Sequence, residues 1–182
     1  ALPIWAAARA HRDGARRGVR ALRRPRRRGH ARRLRRAPGR RRRRDAAPRG
    51  QLLELAHDLL GRLAQHHVDH TLFFRRLCAS AAEPAADDDV LPLFDEPDAF
   101  RAWAEAWRAR LAAEPMPPEA RAAAMKRVNP AFIPRNHRVE EAIDAAARRG
   151  DYGPFEVLAD VLARPFDDQP EAAHLAEPPA PG

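Results

Sequence analysis

The stretch from Met125 to Glu171, MKRVNPAFIPRNHRVEEAIDAAARRGDYGPFEVLADVLARPFDDQPE, decides the fold class. Its prolines divide it into an extended segment and two short helices, because a residue before proline avoids the helical region and proline cannot continue a helix. Asn136 is placed to cap the first helix and Gly150 to end it in a left-handed conformation. Pro154 opens the second helix and Pro165 stops it, so the pair is predicted to form an antiparallel hairpin. The side chains expected on its buried side are Val139, Ala142, Ile143, Ala146, Phe155, Leu158, Val161 and Leu162.

Four further helices are predicted upstream, since apolar residues recur there at intervals of three and four. Asp69 and Asp98 are placed to cap two of them, and a short one is expected over Pro118–Arg127 with Ala122 and Met125 facing inward. The apolar sides of the other three are Leu52, Leu53, Ala56, Leu59, Leu60 and Leu63; Leu72, Phe73 and Leu77; and Phe100, Trp103, Trp107 and Leu111. No segment alternates convincingly as a strand, so the prediction is an all-α protein.

Charge divides the chain at residue 50. Residues 1–50 contain 20 Arg and two acidic residues, a net charge of +18, whereas residues 51–182 contain 14 Lys plus Arg and 23 Asp plus Glu, a net charge of −9. Mutual repulsion and the lack of a sizeable apolar face predict that residues 1–50 are disordered. The predicted organisation is an Arg-rich segment over 1–50, a helical region over 51–177 and a Pro-rich tail over 178–182. The stretch Ala79–Asp89 is expected to be a mobile acidic loop.

Cysteine usage and hydropathy bear on the compartment. The single cysteine, Cys78, excludes an internal disulfide framework and fits a reducing, cytoplasmic setting. No run of about 18 apolar residues exists, so no membrane span and no membrane partner are expected.

Two polar clusters are candidate sites. His66 and His70 would share a face of a continuous helix, with His67 and Asp69 beside them, but no Cys or second carboxylate completes a zinc site. Cys78 follows Arg75 and Arg76, which would lower its pKa, yet it lacks an evident base and suits a packing position. In each case the structural interpretation is preferred.

Three further groups of side chains each allow a functional and a structural interpretation. Phe100, Trp103 and Trp107 suit a base-stacking platform, but their spacing is that of a core seam in an acidic region. Asp87–Asp89 and Asp167–Asp168 lack the ligand pattern of an EF-hand, and the first is expected to be a solvated loop. For the second, within RPFDDQPE, a structural or docking role is open.

Nucleotide-binding motifs are missing from the sequence. It has no GxGxxG, GxxxxGK[ST], HRD or DFG element, and its one lysine, Lys126, stands just before the Asn129-Pro130 break. An autonomous nucleotide site is therefore not expected.

Two blocks of the chain resemble the SelO family, also called YdiU, of kinase-like protein adenylyltransferases. The first is HVDHTLFFRRL over 67–77, similar to the family's HxDYTxxFRxL run. The second begins at Val128-Asn129-Pro130, continues through Arg135-Asn136-His137, Ala142-Ile143 and Gly150-Asp151, and closes with PFDDQPE over 165–171. With the tryptophan helix between them, the blocks cover about residues 51–177.

The resemblance implies a parent enzyme with a protein-kinase-like fold, of which this chain is the C-terminal helical portion. Such an enzyme binds ATP in an inverted pose with Mg²⁺ or Mn²⁺ and transfers AMP to Ser, Thr or Tyr hydroxyls of proteins. No position here matches the family's active-site residues, so no catalytic, cofactor-binding or metal-binding residue and no cofactor is assigned to this chain. It is expected to be an inactive fragment whose main partner is the missing N-terminal kinase-like body. The family's C-terminal redox cysteine also has no match here.

Two hypotheses concern residues 1–50, which resemble nothing in the family. In one they are an out-of-frame translation of a GC-rich gene, which would be rich in Arg, Ala, Pro and Gly. In the other they are a real basic arm on a small helical module, binding nucleic acid or other polyanions non-specifically through phosphates.

Overall fold

A computed structural model describes residues 46–180 of the chain. For residues 46–49 it describes the backbone alone. Within this range every regular element is helical, which confirms the all-α prediction. The α-helices are α1 (Ala46–Gln65), α2 (His70–Ser80), α3 (Pro97–Ala112), α4 (Pro118–Lys126), α5 (Asn136–Arg149) and α6 (Gly153–Ala163). Three 3-10 helices accompany them, at Pro84–Asp89, Leu91–Leu93 and Pro170–Leu175.

The chain divides into two compact units within α1, one through Leu60 and the other from Gly61. In the first unit Leu52, Ala56 and Leu59 are buried, as the helical spacing predicts. Leu53 and Leu60, predicted to widen this stripe, are instead 46% and 38% exposed. Helix α1 also begins at Ala46, so its first turn lies inside the segment predicted to be disordered.

The second unit has an aromatic centre built by α2, α3 and Phe94 of the segment between them. Phe73 contacts the rings of Phe94, Phe100 and Trp103 edge-on, with centroid separations of 5.9, 6.1 and 6.3 Å. Trp103 stacks on Trp107 at 5.2 Å. All five side chains are at most 5% exposed, which confirms that the aromatic spacing marks core packing.

The caps of α3 and α5 differ from the prediction. Glu96 precedes α3, Pro97 opens it and Asp98 lies in its first turn, where the carboxylate accepts from Arg101 at 2.7 Å. Arg135 precedes α5 and Asn136 is its first helical residue, without a side-chain cap. Both helices therefore begin one or two residues earlier than expected, since proline at the first turn and extended backbone set the start.

The hairpin of α5 and α6 is confirmed, and Gly150 ends α5 with φ of 66°. Its buried residues are Ala142, Ala145, Leu158 and Val161, which means that the buried face is narrower than predicted. Ile143 and Phe155, predicted to be buried, are 61% and 58% exposed.

Residues 79–89 contain more regular structure than the mobile acidic loop predicted from the sequence. Pro84–Asp89 forms a 3-10 helix that contacts α2. Asp87 forms an ion pair with Arg108 of α3 at 2.5 Å, whereas Asp88 and Asp89 are exposed. The solvated-loop prediction therefore holds for two of the three aspartates.

Most predictions for the two chain ends concern residues outside the described range. Disorder and a basic arm are predicted for residues 1–50, of which 1–45 lie outside that range. Pro181 and Gly182 of the predicted tail lie outside it as well. None of the helices in the described part of the chain has the length and hydropathy of a membrane span.

Candidate functional site

Arg75 of α2 joins three segments that are far apart in sequence. Its guanidinium donates to the carbonyl oxygens of Lys126, Asn129 and Phe166 at 3.3, 3.1 and 3.1 Å, and forms an ion pair with Asp168. The same carboxylate accepts from Lys126 Nζ at 2.8 Å. The side chain of Arg75 is only 11% exposed, so these acceptors replace its lost hydration.

Arg135 forms a second junction. Its guanidinium contacts both carboxylate oxygens of Asp69, at 2.5 and 3.1 Å, and donates to Ala176 O at 2.8 Å. Asp69 Oδ1 also accepts from Leu72 N at 2.8 Å, which confirms the predicted N-cap of α2. The Asp69 carboxylate therefore starts α2 and holds Arg135 before α5, and Arg135 in turn holds Ala176, the residue after the last 3-10 helix.

The electrostatics of both aspartates favour the ionised form. Burial of Asp69 opposes ionisation, but the hydrogen bonds from Arg135 and the Leu72 amide outweigh it, so its pKa lies below the usual value. Hydrogen bonds from Lys126 and then Arg75 lower the pKa of Asp168. Both carboxylates are therefore ionised at neutral pH.

Cys78 lies beside the Arg75 junction and is completely buried. Its Sγ donates to Phe74 O at 3.1 Å and accepts from Asn129 Nδ2 at 3.7 Å. Burial raises the pKa of the thiol, and Asn129, Arg75 and Lys126 offset this only in part. Arg75 lowers the pKa as the sequence predicts, but desolvation is the larger effect, so the net shift of the thiol pKa is upward.

The structure does not place the histidines on one helical face. Helix α1 ends at Gln65, His67 has φ of 50°, and α2 starts at His70. His66 is buried with its ring 5.7 Å from that of Phe94, while His70 contacts Phe74 at 6.4 Å. Among residues 46–180 no group of three His, Cys, Asp or Glu side chains is arranged to hold a metal ion.

A shallow cavity of about 340 Å³ lies between the ends of α2, α3 and α4. Its charged lining is already paired: Arg108 with Asp87, and Arg121 with the carbonyl oxygens of Ala81, Leu111 and Met116 at 3.3, 3.1 and 2.9 Å. Arg121 is buried and satisfies the carbonyl ends of α2 and α3. This cavity therefore supplies structural contacts and favours no particular ligand.

The two arginine junctions assemble the very motifs that are widely separated in the sequence. Asp69 and Arg75 come from HVDHTLFFRRL, Asn129 and Arg135 from the Asn-Pro block, and Asp168 from PFDDQPE. Their contacts are with one another and with backbone carbonyls. The arrangement can fix the relative positions of α2, α4 and the chain after α6. It presents no nucleophile paired with a base among the described residues.

Comparison with known proteins agrees with this set of motifs. The sequence model of the family described as protein adenylyltransferase SelO matches residues 33–163. The chain belongs to this family. The match begins ahead of the boundary predicted at residue 51.

Individual members of the SelO family give the same result. Protein nucleotidyltransferase YdiU of Rhizobium meliloti (strain 1021) is 53% identical over 130 residues, which are 71% of this chain and 26% of that protein. The YdiU proteins of Methylorubrum populi and Rhodopseudomonas palustris (strain CGA009) are 53% and 50% identical over 134 and 128 residues, again about a quarter of their length. The chain thus spans about a quarter of the curated relatives that it matches.

Sequence reasoning missed the buried arginines. In the sequence analysis Arg75 enters only as a charge that would lower the pKa of the Cys78 thiol. Arg121 and Arg135 are not identified as core residues, because arginine is usually exposed. A signal was present for two of them: Arg75 and Arg135 lie inside the family-like blocks.

Proposed function

We propose that the chain is the C-terminal helical portion of a protein adenylyltransferase, which transfers AMP from ATP to hydroxyl side chains of proteins. The observation that carries the proposal is the family match, since curated relatives at about 50% identity are named nucleotidyltransferases. In this account ATP and Mg²⁺ or Mn²⁺ bind to the part of the polypeptide that lies outside this chain. The metal would neutralise phosphate charge there, while the arginine junctions keep the helical portion rigid.

The partner of the helical portion would be the nucleotide-binding body of the same protein. The α5–α6 hairpin supports this, because large apolar side chains remain exposed on it. Ile143, Tyr152, Phe155 and Val157 are 61%, 61%, 58% and 51% exposed. Apolar side chains this exposed on one small hairpin favour an intramolecular docking face.

The test is a chimera. The matching quarter of the Rhizobium meliloti relative is replaced by residues 51–180 of this chain, and transfer of AMP from α-phosphate-labelled ATP to an acceptor protein is measured. We expect transfer to persist, and to fall at least tenfold when Ile143→Asp and Phe155→Asp are introduced together. Asp160→Ala, an exposed change on α6, is the matched control and should leave transfer unchanged. A folded chimera without transfer would contradict the proposal.

A second proposal concerns the basic segment, whose net charge of +18 over residues 1–50 favours polyanion binding. Binding would be non-specific and strongly dependent on salt. Fluorescence anisotropy with single-stranded DNA would test it, comparing the full chain with one lacking residues 1–45 at about 0.15 M salt. Equal affinity of the two chains would contradict it. Sequencing the coding DNA upstream of codon 60 would separately test the out-of-frame hypothesis.

A further inference from the structure

Residues 165–168, which we call the strap, cross from the end of α6 to the last 3-10 helix. At one end Pro165 O accepts from the amides of Ala131 and Phe132 at 2.8 and 3.2 Å. Beyond the other end, Gln169 is buried and donates to the carbonyl oxygens of Val161 and Arg164 at 3.1 and 3.0 Å. The strap is therefore anchored on both sides, at Pro165 and at Gln169, independently of the Asp168 side chain.

Asp168, the last residue of the strap, is held by charge. Asp168 accepts from Arg75 of α2 and from Lys126 at the end of α4, and Arg75 also donates to Phe166 O. The carboxylate is 64% exposed and the lysine 43% exposed. Ion pairs this close to water are individually weak, so they can open without unfolding of the core.

Asn129 connects the strap to the buried thiol. Its carbonyl oxygen accepts from Arg75 at 3.1 Å, and its side-chain amide lies 3.7 Å from Cys78 Sγ. The arginine that binds the strap thus also binds the residue whose side-chain amide contacts Cys78. Since Cys78 is the single cysteine of the chain and is completely buried, its accessibility reports opening at this position.

We propose that Asp168 is an ionic latch: it holds the strap across Arg75 and Lys126, and its release uncovers the seam between α2 and α4 with Cys78 at its base. The opening is local. The aromatic centre and the hairpin core of Phe132, Leu158, Val161, Ala172 and Leu175 stay packed. The latch therefore controls the access of solvent and reagents to the seam between α2 and α4.

The test uses the rate at which an aromatic disulfide reagent modifies Cys78 in the native 182-residue chain. Asp168→Asn removes both ion pairs, and Lys126→Met removes one. We expect rates about three- to fivefold above wild type for the first and a smaller increase for the second, the scale of exposed ion pairs. Asp167→Asn, at the exposed neighbouring position, is the matched control and should react at the wild-type rate.

Two results would overturn the latch. In one, Asp168→Asn and Lys126→Met react at the wild-type rate, or Asp167→Asn rises equally. In the other, the rate of every variant rises with urea as steeply as global unfolding, which would mean that the thiol is reached only in the unfolded chain. If Asp168→Asn fails to fold, the reaction rate of Lys126→Met tests the latch instead, because this partly exposed side chain can be replaced without a cavity.

Discussion

Arg135 holds Asp69 in a two-point ion pair, with Nη1 to Oδ2 at 2.5 Å and Nη2 to Oδ1 at 3.1 Å, across 66 residues of sequence. The side chains are 8% and 21% exposed. Because Asp69 also caps α2, this pair fixes the start of one helix to the segment before α5.

Replacing Asp69 separates its two roles. Asparagine caps a helix about as well as aspartate, so Asp69→Asn chiefly leaves the buried Arg135 without its counter-charge. We expect a loss of about 3 kcal/mol in the free energy of unfolding, measured by urea denaturation of the 182-residue chain. Asp69→Ala should cost about 1 kcal/mol more. If Arg135→Met is equally destabilising in the Asp69→Asn background and in wild type, the pair is not coupled.

Acid should weaken the fold through the same carboxylates. The pKa values of Asp69 and Asp168 are lowered in the folded state, so the unfolded chain binds protons first as the pH falls. Their contribution is therefore complete above the unfolded value of about 3.9 and is lost as the pH falls from there through the folded pKa values. Urea midpoints measured between pH 7 and pH 2 should drop in that window, and less so in Asp69→Asn. A flat profile below pH 4 would be inconsistent with ionised junctions.

Arg121 should be as sensitive as a core residue. Its guanidinium satisfies three carbonyl oxygens at the ends of α2 and α3 and in the turn before α4. Arg121→Met keeps most of the volume but removes the donor from the carbonyl oxygens of Ala81 and Met116, whereas Leu111 O keeps the Glu114 amide at 3.0 Å. The loss should cost about 3 kcal/mol in thermal or urea unfolding. Arg121→Lys should recover only part of this loss, because lysine lacks the planar fork. The exposed Arg127→Met is the control, and an equal cost at both positions would refute the assignment.

Two glycines should respond in opposite directions to alanine. Gly150 has φ of 66°, and an added Cβ there would meet no atom within 4 Å, so Gly150→Ala should cost about 1 kcal/mol through backbone strain alone. Gly61 lies inside α1, also without a neighbour within 4 Å of an added Cβ, so Gly61→Ala should stabilise by up to about 1 kcal/mol. The shifts in Tm of the two variants should therefore differ in sign, and shifts of the same sign would contradict this account.

The elements of the fold could be predicted because local chemistry sets them. Asp69, Gly150 and the prolines mark helix ends, and Phe100, Trp103 and Trp107 mark a buried seam; all of these except the exact starts of α3 and α5 are confirmed. The errors at Ile143 and Phe155 have one cause. Helical spacing shows that a face is apolar but not whether a neighbour covers it, and here only Ala142 and Ala145 of α5 and Leu158 and Val161 of α6 are buried.

The candidate site was less predictable. Arg75, Arg121 and Arg135 are held by backbone carbonyls 5 to 91 residues away in sequence, and no local pattern encodes such acceptors. Composition also favours placing arginine in water. Arg75 and Arg135 lie within the family-like blocks, but only the tertiary structure shows that the charged residues of these blocks bind one another.

The central claim is that the described part of this chain is a scaffold and that nucleotide binding belongs to another part of the polypeptide. Calorimetric titration of the 182-residue chain with ATP and Mg²⁺, in about 0.5 M salt to screen the basic segment, tests it most directly. We predict no saturable binding up to millimolar nucleotide. Saturable binding with a micromolar Kd would contradict the claim and would place a nucleotide site within this chain.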